Sequence, residues 1–204
     1  MLLRVTPVSP FSRKVRVTAL ELGLQERVQV VPTTLRAPDE SFWAQNPLAR
    51  VPVLETDDGE AIADSHVICE YLDAVHGAHR LLPAQGPERW RALSLAAMAG
   101  GMVEAAMMVR REHQRPPEQA DPAVIAYEQD KVWRGLDRLQ RDVARPMLSE
   151  ASGFGHAAIA AACTVGWLAF RLGHGFTFDG RPELLAWWNE LIEPRHSMQA
   201  TAPR

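Results

Sequence analysis

The sequence predicts an α/β domain of about eighty residues followed by an all-helical domain. Three observations carry that reading. Short strand-like and helix-like pieces alternate through the first part of the chain, and no strand pattern survives beyond Gly77. Between the two rhythms lies a stretch bearing Pro and Gly, which breaks both periodicities. Residues 1–78 therefore make the first domain, 79–86 the linker and 87–204 the helical domain.

Leu2–Thr6 reads as a buried strand and Pro10–Leu24 as a helix stopped at Gly23. Val28–Val31 is β-branched and reads as the second strand, and Asp39–Gln45 as a short helix ahead of Asn46-Pro47. Val51–Thr56 and Ala61–Ala63 flank Asp57-Asp58-Gly59, a hairpin signal. Ser65–Val75 returns to helical spacing, with Ile68, Leu72 and Val75 on one stripe. The order is β-α-β-α-β-β-α. Farther on, Glu88–His113, Val124–Val143, His156–Leu172 and Pro182–Ile192 read as helices. Pro116-Pro117, Pro146, Gly173–Gly180 and Pro194 separate them.

Lys and Arg number 22 and Asp and Glu 25, and the resulting −3 argues against a strongly basic nucleic-acid binder. Only two cysteines occur, Cys69 and Cys163, both in apolar stretches, which fits a reducing compartment better than a disulfide scaffold. The opening MLLRVTPVSP lacks the apolar run of a signal peptide. Ala92–Val103 and Ala157–Phe170 fall short of the ~18–20 apolar residues of a membrane span. The expectation is a soluble, cytoplasmic protein. His76 and His79 have helical spacing, but no HExxH or CxxC accompanies them, so no metal site is expected.

The stretch Ser9-Pro10-Phe11-Ser12-Arg13-Lys14-Val15-Arg16 sits where the first strand turns into the first helix. Ser9 suits the N-cap and Pro10 the first helical position. Arg13, Lys14 and Arg16 nevertheless crowd the first turns, where the helix dipole disfavours cations by roughly 0.3–1 kcal/mol each. A positive helix end with a hydroxyl at its tip stabilises a bound anion, a thiolate in particular.

Ser-Pro-Phe-Ser resembles the Cys-Pro-Phe-Cys of glutaredoxins with both thiols replaced by hydroxyls. Asn46–Leu54 and Ala63–Ile68 resemble the cytosolic glutathione transferase superfamily, as do Cys163–Arg171 and the tail Ser197–Thr201. The resemblance runs in order along nearly the whole chain. It implies a thioredoxin-like N-terminal domain, a helical-bundle C-terminal domain and a homodimer. The Val51-Pro52 bond is expected to be cis, leaving the Val51 backbone to pair with the cysteinyl unit of glutathione as an added strand would. Ser65 is implied to hold the γ-glutamyl carboxylate at a helix N-terminus, and Asp64 to face the α-ammonium. Arg50 either approaches the glycyl carboxylate or dresses the surface.

Ser9 matches the catalytic position, with Ser12 as the rival donor one turn later. Lowering a thiol pKa by about two units needs roughly 2.7 kcal/mol. A hydrogen bond to a charged group supplies ~1.5–3 kcal/mol, so one hydroxyl suffices. Glutathione would serve as cosubstrate, with no metal or other cofactor, and a small hydrophobic electrophile would be the second substrate. Met102, Met107 and Arg110 are the candidates for its pocket, the alternative being core packing for the methionines and solvent for the arginine. The family's capping box at the sixth helix is lost, because Gly155 and Ala158 stand at its two positions. A non-catalytic binding or regulatory relative, or a glutathione-dependent dehalogenase, peroxidase or isomerase, shares the same motifs. Thiol–disulfide exchange is disfavoured, since hydroxyls at 9 and 12 form no mixed disulfide.

Overall fold

A computed structural model describes residues 1–143, 148 and 153–203. They divide into two units: Met1–Arg89 with Pro194–Arg204, and Trp90–Glu193. The sequence reading gave everything beyond residue 87 to the helical domain, whereas the tail packs with the first unit.

In the first unit, β1 (Leu2–Val5) alternates, with Leu3 and Val5 buried on one face and Arg4 on the other. It pairs parallel with β2 (Gln29–Pro32) and antiparallel with β3 (Val53–Glu55), which pairs antiparallel with β4 (Ala61–Ala63). The strand order is β2-β1-β3-β4. Three helices cover this sheet: α1 (Pro10–Glu21), α2 (Glu40–Gln45) and α3 (Ser65–His76). Val15 and Ala19 of α1 and Ile68, Cys69 and Leu72 of α3 form one core with Leu3, Val5 and Leu54. On the opposite face Arg4 lies over the Phe42 ring and hydrogen-bonds Gln45 and Ser41, which fixes α2 there.

Two local expectations shift. Val75 is 57% exposed, and the buried stripe of α3 turns instead through Cys69 and Asp73. Asp73 is buried because its carboxylate accepts the N–H groups of Leu81 and Leu82 at 2.8–3.1 Å, tying the segment beyond α3 back onto that helix. The third strand also starts later than predicted, at Val53, so Val51-Pro52 precedes the ladder.

The second unit is helical. It contains most of α4 (Pro87–His113), a 3₁₀ turn at Pro117–Gln119, α5 (Pro122–Asp142), α6 (His156–Leu172), α7 (His174–Phe178) and α8 (Pro182–Trp187). The last of these runs into a π turn at Trp188–Ile192. Pro122 occupies the first turn of α5 and Asp121 caps it, which sets its start ahead of the predicted Val124. Gly173–Gly180, read as a break, holds α7. Pro146 lies outside the described residues. Small side chains let α4 and α6 approach: Ala96, Ala99 and Ala160 meet, and the Thr164 hydroxyl donates to the Ala99 carbonyl at 3.0 Å. His156–Leu168 is buried throughout, as a central helix must be. Gly155 caps α6 with no side-chain hydrogen bond, in line with the missing capping box. By length and composition α4 is apolar enough to cross a membrane, with mean hydropathy 1.6 over its best window. Half of that window is buried within the fold, the pattern of a core helix.

The chain returns to the first unit at α9 (His196–Ala200). Arg13 donates to the Met198 carbonyl at 2.8 Å and to the Thr201 hydroxyl at 3.3 Å. Arg16 donates to the Ala200 carbonyl, and Glu21 accepts from the Ser197 hydroxyl at 2.5 Å. Cations on α1 thus meet the carbonyl end of α9.

Asp73→Ala strands two backbone donors, each costing about 1–3 kcal/mol when left unsatisfied. Urea unfolding should show a loss of about 2–4 kcal/mol at an unchanged m value.

Candidate functional site

Two helix starts and one loop of the first unit gather the predicted residues. Ser9 caps α1 in an extended conformation, its oxygen accepting the Ser12 N–H at 3.2 Å. A serine hydroxyl has two acceptor lone pairs and one proton. Capping uses a lone pair, so the Ser9 O–H is left to donate outward from the helix tip. Ser12 is different. It is 1% exposed, and its oxygen is buried with no hydrogen-bond partner among the described residues. A ligand sulfur has no access to it without movement of the helix.

The second helix start belongs to α3. Asp64 holds a positive φ of 75°, uncommon outside glycine, and its carboxylate accepts the N–H groups of His66 at 2.7 Å and Val67 at 3.3 Å. These two bonds hold the strained residue at the helix tip. Ser65 follows as the first helical residue, and its hydroxyl makes no hydrogen bond among the described residues.

The loop is Asn46–Pro52. Asn46 is buried and braces it three ways: its amide donates to the Arg50 carbonyl at 2.9 Å, its side-chain oxygen accepts the Leu48 N–H at 3.0 Å, and its carbonyl accepts the Ala49 N–H at 2.8 Å. Ala49 takes φ 48° inside this brace. Arg50 is exposed beyond it. The Val51–Pro52 bond is cis, as the resemblance implied. Val51 lies outside the β1–β3 ladder, so its backbone groups are not committed to that pairing. Sequence places Asn46 in the motif but assigns it no role; the turn-forming Asn-Pro pair is the visible signal of its bracing.

α1 and α3 run in the same direction. The Thr18 hydroxyl donates to the Cys69 sulfur at 3.2 Å, and one turn earlier on each helix the Lys14 charge bears on His66. Their N-termini therefore lie at one end of the pair. Lys14 is 4% exposed. Burial, and secondarily the charge of Lys14, push His66 down to about 4. Burial also pushes the Cys69 thiol up, so it stays protonated.

The residues predicted for a second substrate lie in the helical unit. Met102 is 3% exposed and packs on Gly135, where an added Cβ would sit 2.5 Å from its sulfur. Its role is core packing, because α5 offers a glycine-sized gap that the flexible thioether fills. Met107 is half-buried and Arg110 exposed. A cavity of about 450 Å³ in this unit is lined by neither; Trp90, Arg91, Ser94, Leu95, Met98 and Arg138 line it with Asp142. Among the described residues no group of three His, Cys, Asp or Glu side chains is placed to hold a metal ion.

Residues 3–80 match the family model of the glutathione S-transferase N-terminal domain. The uncharacterized GST-like protein YibF of Escherichia coli (strain K12) is 34% identical over 197 residues, covering 96% of this chain and 95% of its own. A glutathione transferase family member from Pseudomonas fluorescens Pf-5, solved with bound glutathione, is 39% identical with a TM-score of 0.90, covering 100% of this chain and 98% of its own. A glutathione S-transferase from Methylobacillus flagellatus KT, also with glutathione bound, is 33% identical with a TM-score of 0.90, covering 100% and 99%.

His66 gives a pH signature. Its ordinary value is 6.5, and the folded protein holds it near 4. Between those pH values the unfolded chain binds the proton that the folded one refuses, so stability falls as pH drops through this window. Urea unfolding between pH 6.5 and 4 should show a smaller loss for His66→Gln than for the parent.

Proposed function

This chain belongs to the glutathione S-transferase family, and on that premise we propose that it is a glutathione transferase activating the glutathione thiol for attack on small apolar electrophiles. The observation that carries the reading is the Ser9 hydroxyl, fixed at the tip of α1 by the Ser12 N–H while its own proton stays available. The sulfur sits against that proton and ionises there. A hydrogen bond to a charged sulfur is worth about 1.5–3 kcal/mol, enough to lower its pKa by one to two units. Catalysis is then electrostatic stabilisation with positioning, and the protein forms no covalent bond to the substrate.

The rest of glutathione follows the residues already assembled. Its γ-glutamyl carboxylate takes the Ser65 N–H and hydroxyl at the start of α3, and its α-ammonium faces Asp64. The cysteinyl unit pairs with the Val51 backbone beside Pro52 in the manner of an added strand. Arg50, exposed at the end of the braced loop, is the candidate for the glycyl carboxylate, with a plain surface role as its alternative. The electrophile falls to the helical unit, where Met107 and Arg110 are the candidates that keep exposed surface. The same reading includes a homodimer with a detoxifying role in the cytoplasm. Val67 and Val75 leave apolar area on α3 that a second copy would cover.

Two experiments test this reading. Near neutral pH, Ser9→Ala should slow conjugation of a chromogenic electrophile at saturating glutathione by roughly 10- to 100-fold. Much of the deficit should return as pH rises and the thiol ionises unaided, whereas Ser12→Ala should cost little. An alkaline-shifted profile in Ser12→Ala but not in Ser9→Ala would reverse the roles. By calorimetry, Ser65→Ala should bind glutathione more weakly than the parent while slowing saturated turnover less. Unchanged affinity would remove Ser65 from the site.

A further inference from the structure

We infer that Arg110 and Arg171 form an anion site in the helical unit that selects electrophiles carrying a carboxylate on an apolar body; this deepens, and rests on, the transferase reading above. Helix geometry brings the two side chains to one place. The Thr164 hydroxyl on α6 donates to the Ala99 carbonyl on α4 at 3.0 Å, and Ala160 meets Ala96 and Ala99. Both helices therefore run the same way from that crossing. Arg110 lies eleven residues beyond Ala99, about three turns, and Arg171 seven residues beyond Thr164, about two turns. Each thus returns to the face that its helix turns toward the other. Val103 and Ala106 on α4 and Leu168 on α6, which lie between, are buried. The seam is apolar until the two arginines close its end.

Neither arginine is spent on the fold. Arg171 is half-buried, and its guanidinium carbon rests 4.6 Å from the centroid of the Phe170 ring. That contact holds the group without using any of its N–H donors. Among the described residues neither Arg110 nor Arg171 makes a side-chain hydrogen bond or an ion pair. Burial, and secondarily the charge of Arg110, hold Arg171 below the ordinary arginine value, so the two like charges bear on each other. A helix dipole favours a cation near each carboxyl end, but it supplies no anion between two neighbouring guanidinium groups. An anion seated there removes their repulsion and takes charge-assisted hydrogen bonds from both.

The ligand chemistry follows from the donors. A carboxylate brings two charged oxygens to two planar forks, whereas an ester of the same shape brings oxygens without the charge. Apolar surface for the rest of the molecule lies alongside: Phe170 is 44% exposed, and Met107, one turn before Arg110, is half-buried.

The test compares 4-chloro-3-nitrobenzoate with its methyl ester, the same ring with the charge capped, on the full chain at saturating glutathione and pH 7. In both, the glutathione thiol gives its proton to water and the thiolate attacks the ring carbon bearing chlorine. The S–C bond forms, the C–Cl bond breaks and chloride leaves with its electron pair. The parent should favour the carboxylate in kcat/KM, each substrate taken relative to its own uncatalysed rate. Arg171→Met should lower that preference about tenfold, and Arg110→Met should lower it likewise. Thermal melting of Arg171→Met reports folding, and if that variant does not fold, the exposed Arg110→Met carries the test. A parent that favours the ester overturns the proposal, as does a preference that either folded variant leaves unchanged. An equal loss for the two electrophiles is such a case, and shows that the arginine only supports the helical unit. A parent that conjugates neither electrophile overturns the transferase reading and this proposal together; in the other failures the parent conjugates the ester.

Discussion

The Thr18 hydroxyl reaching the Cys69 sulfur is a small contact, yet the geometry of the candidate site depends on the helix register it marks. α1 and α3 each begin with a capped turn, Ser9 on one and Asp64 on the other. If α3 slid by one turn, about 5.4 Å, its capped start would shift against that of α1. Val15, Ala19, Ile68 and Leu72 pack around the contact and against Leu3 and Leu54, so such a slip would open the core. Site geometry and core packing are therefore one constraint.

At both helix starts a capping residue keeps hydrogen-bonding capacity beyond its cap. Ser9 spends an acceptor on the Ser12 N–H and keeps its donor. Asp64 spends one carboxylate oxygen on two N–H groups and keeps the other oxygen. The capping and binding readings of these residues were compatible in sequence, and the hydrogen bonds say why. The loop between them works by a different device: Asn46 supplies from its side chain the pairing that an irregular backbone lacks.

The fold was legible where patterns are local. Strand alternation at Leu3 and Val5, the Ser-Pro start of α1 and the Asp-Ser start of α3 all announce themselves within a few residues. What the sequence hid depends on distant partners. Arg13 looked like part of a basic cluster aimed at a ligand, but its partners Met198 and Thr201 lie more than 180 positions away. Met102 was a pocket candidate with core packing as its alternative, and the space that Gly135 opens on another helix places it in the core. Val75 fitted a helical stripe on spacing alone, and only Asp73's capture of Leu81 and Leu82 turned the buried face away from it. The caps at Ser9 and Asp64 are legible because their chemistry is local; the packing of Arg13, Met102 and Val75 is not, because its partners are distant.

The return of the tail to the first unit has a consequence for how the chain is made. The helical unit is continuous in sequence, from Trp90 to Glu193, so it is whole before α9 is synthesised. The first unit is not. Arg13 and Thr201 are separated by 188 positions, which at ~5–20 residues per second is about 10 to 40 s of translation. During that interval Arg13 lacks the Met198 carbonyl and the Thr201 hydroxyl, and α1 lacks one of the surfaces that cover it. On the ribosome the unit that emerges first is thus the one completed last, and the helix carrying Ser9 spends the longest time awaiting its final contacts.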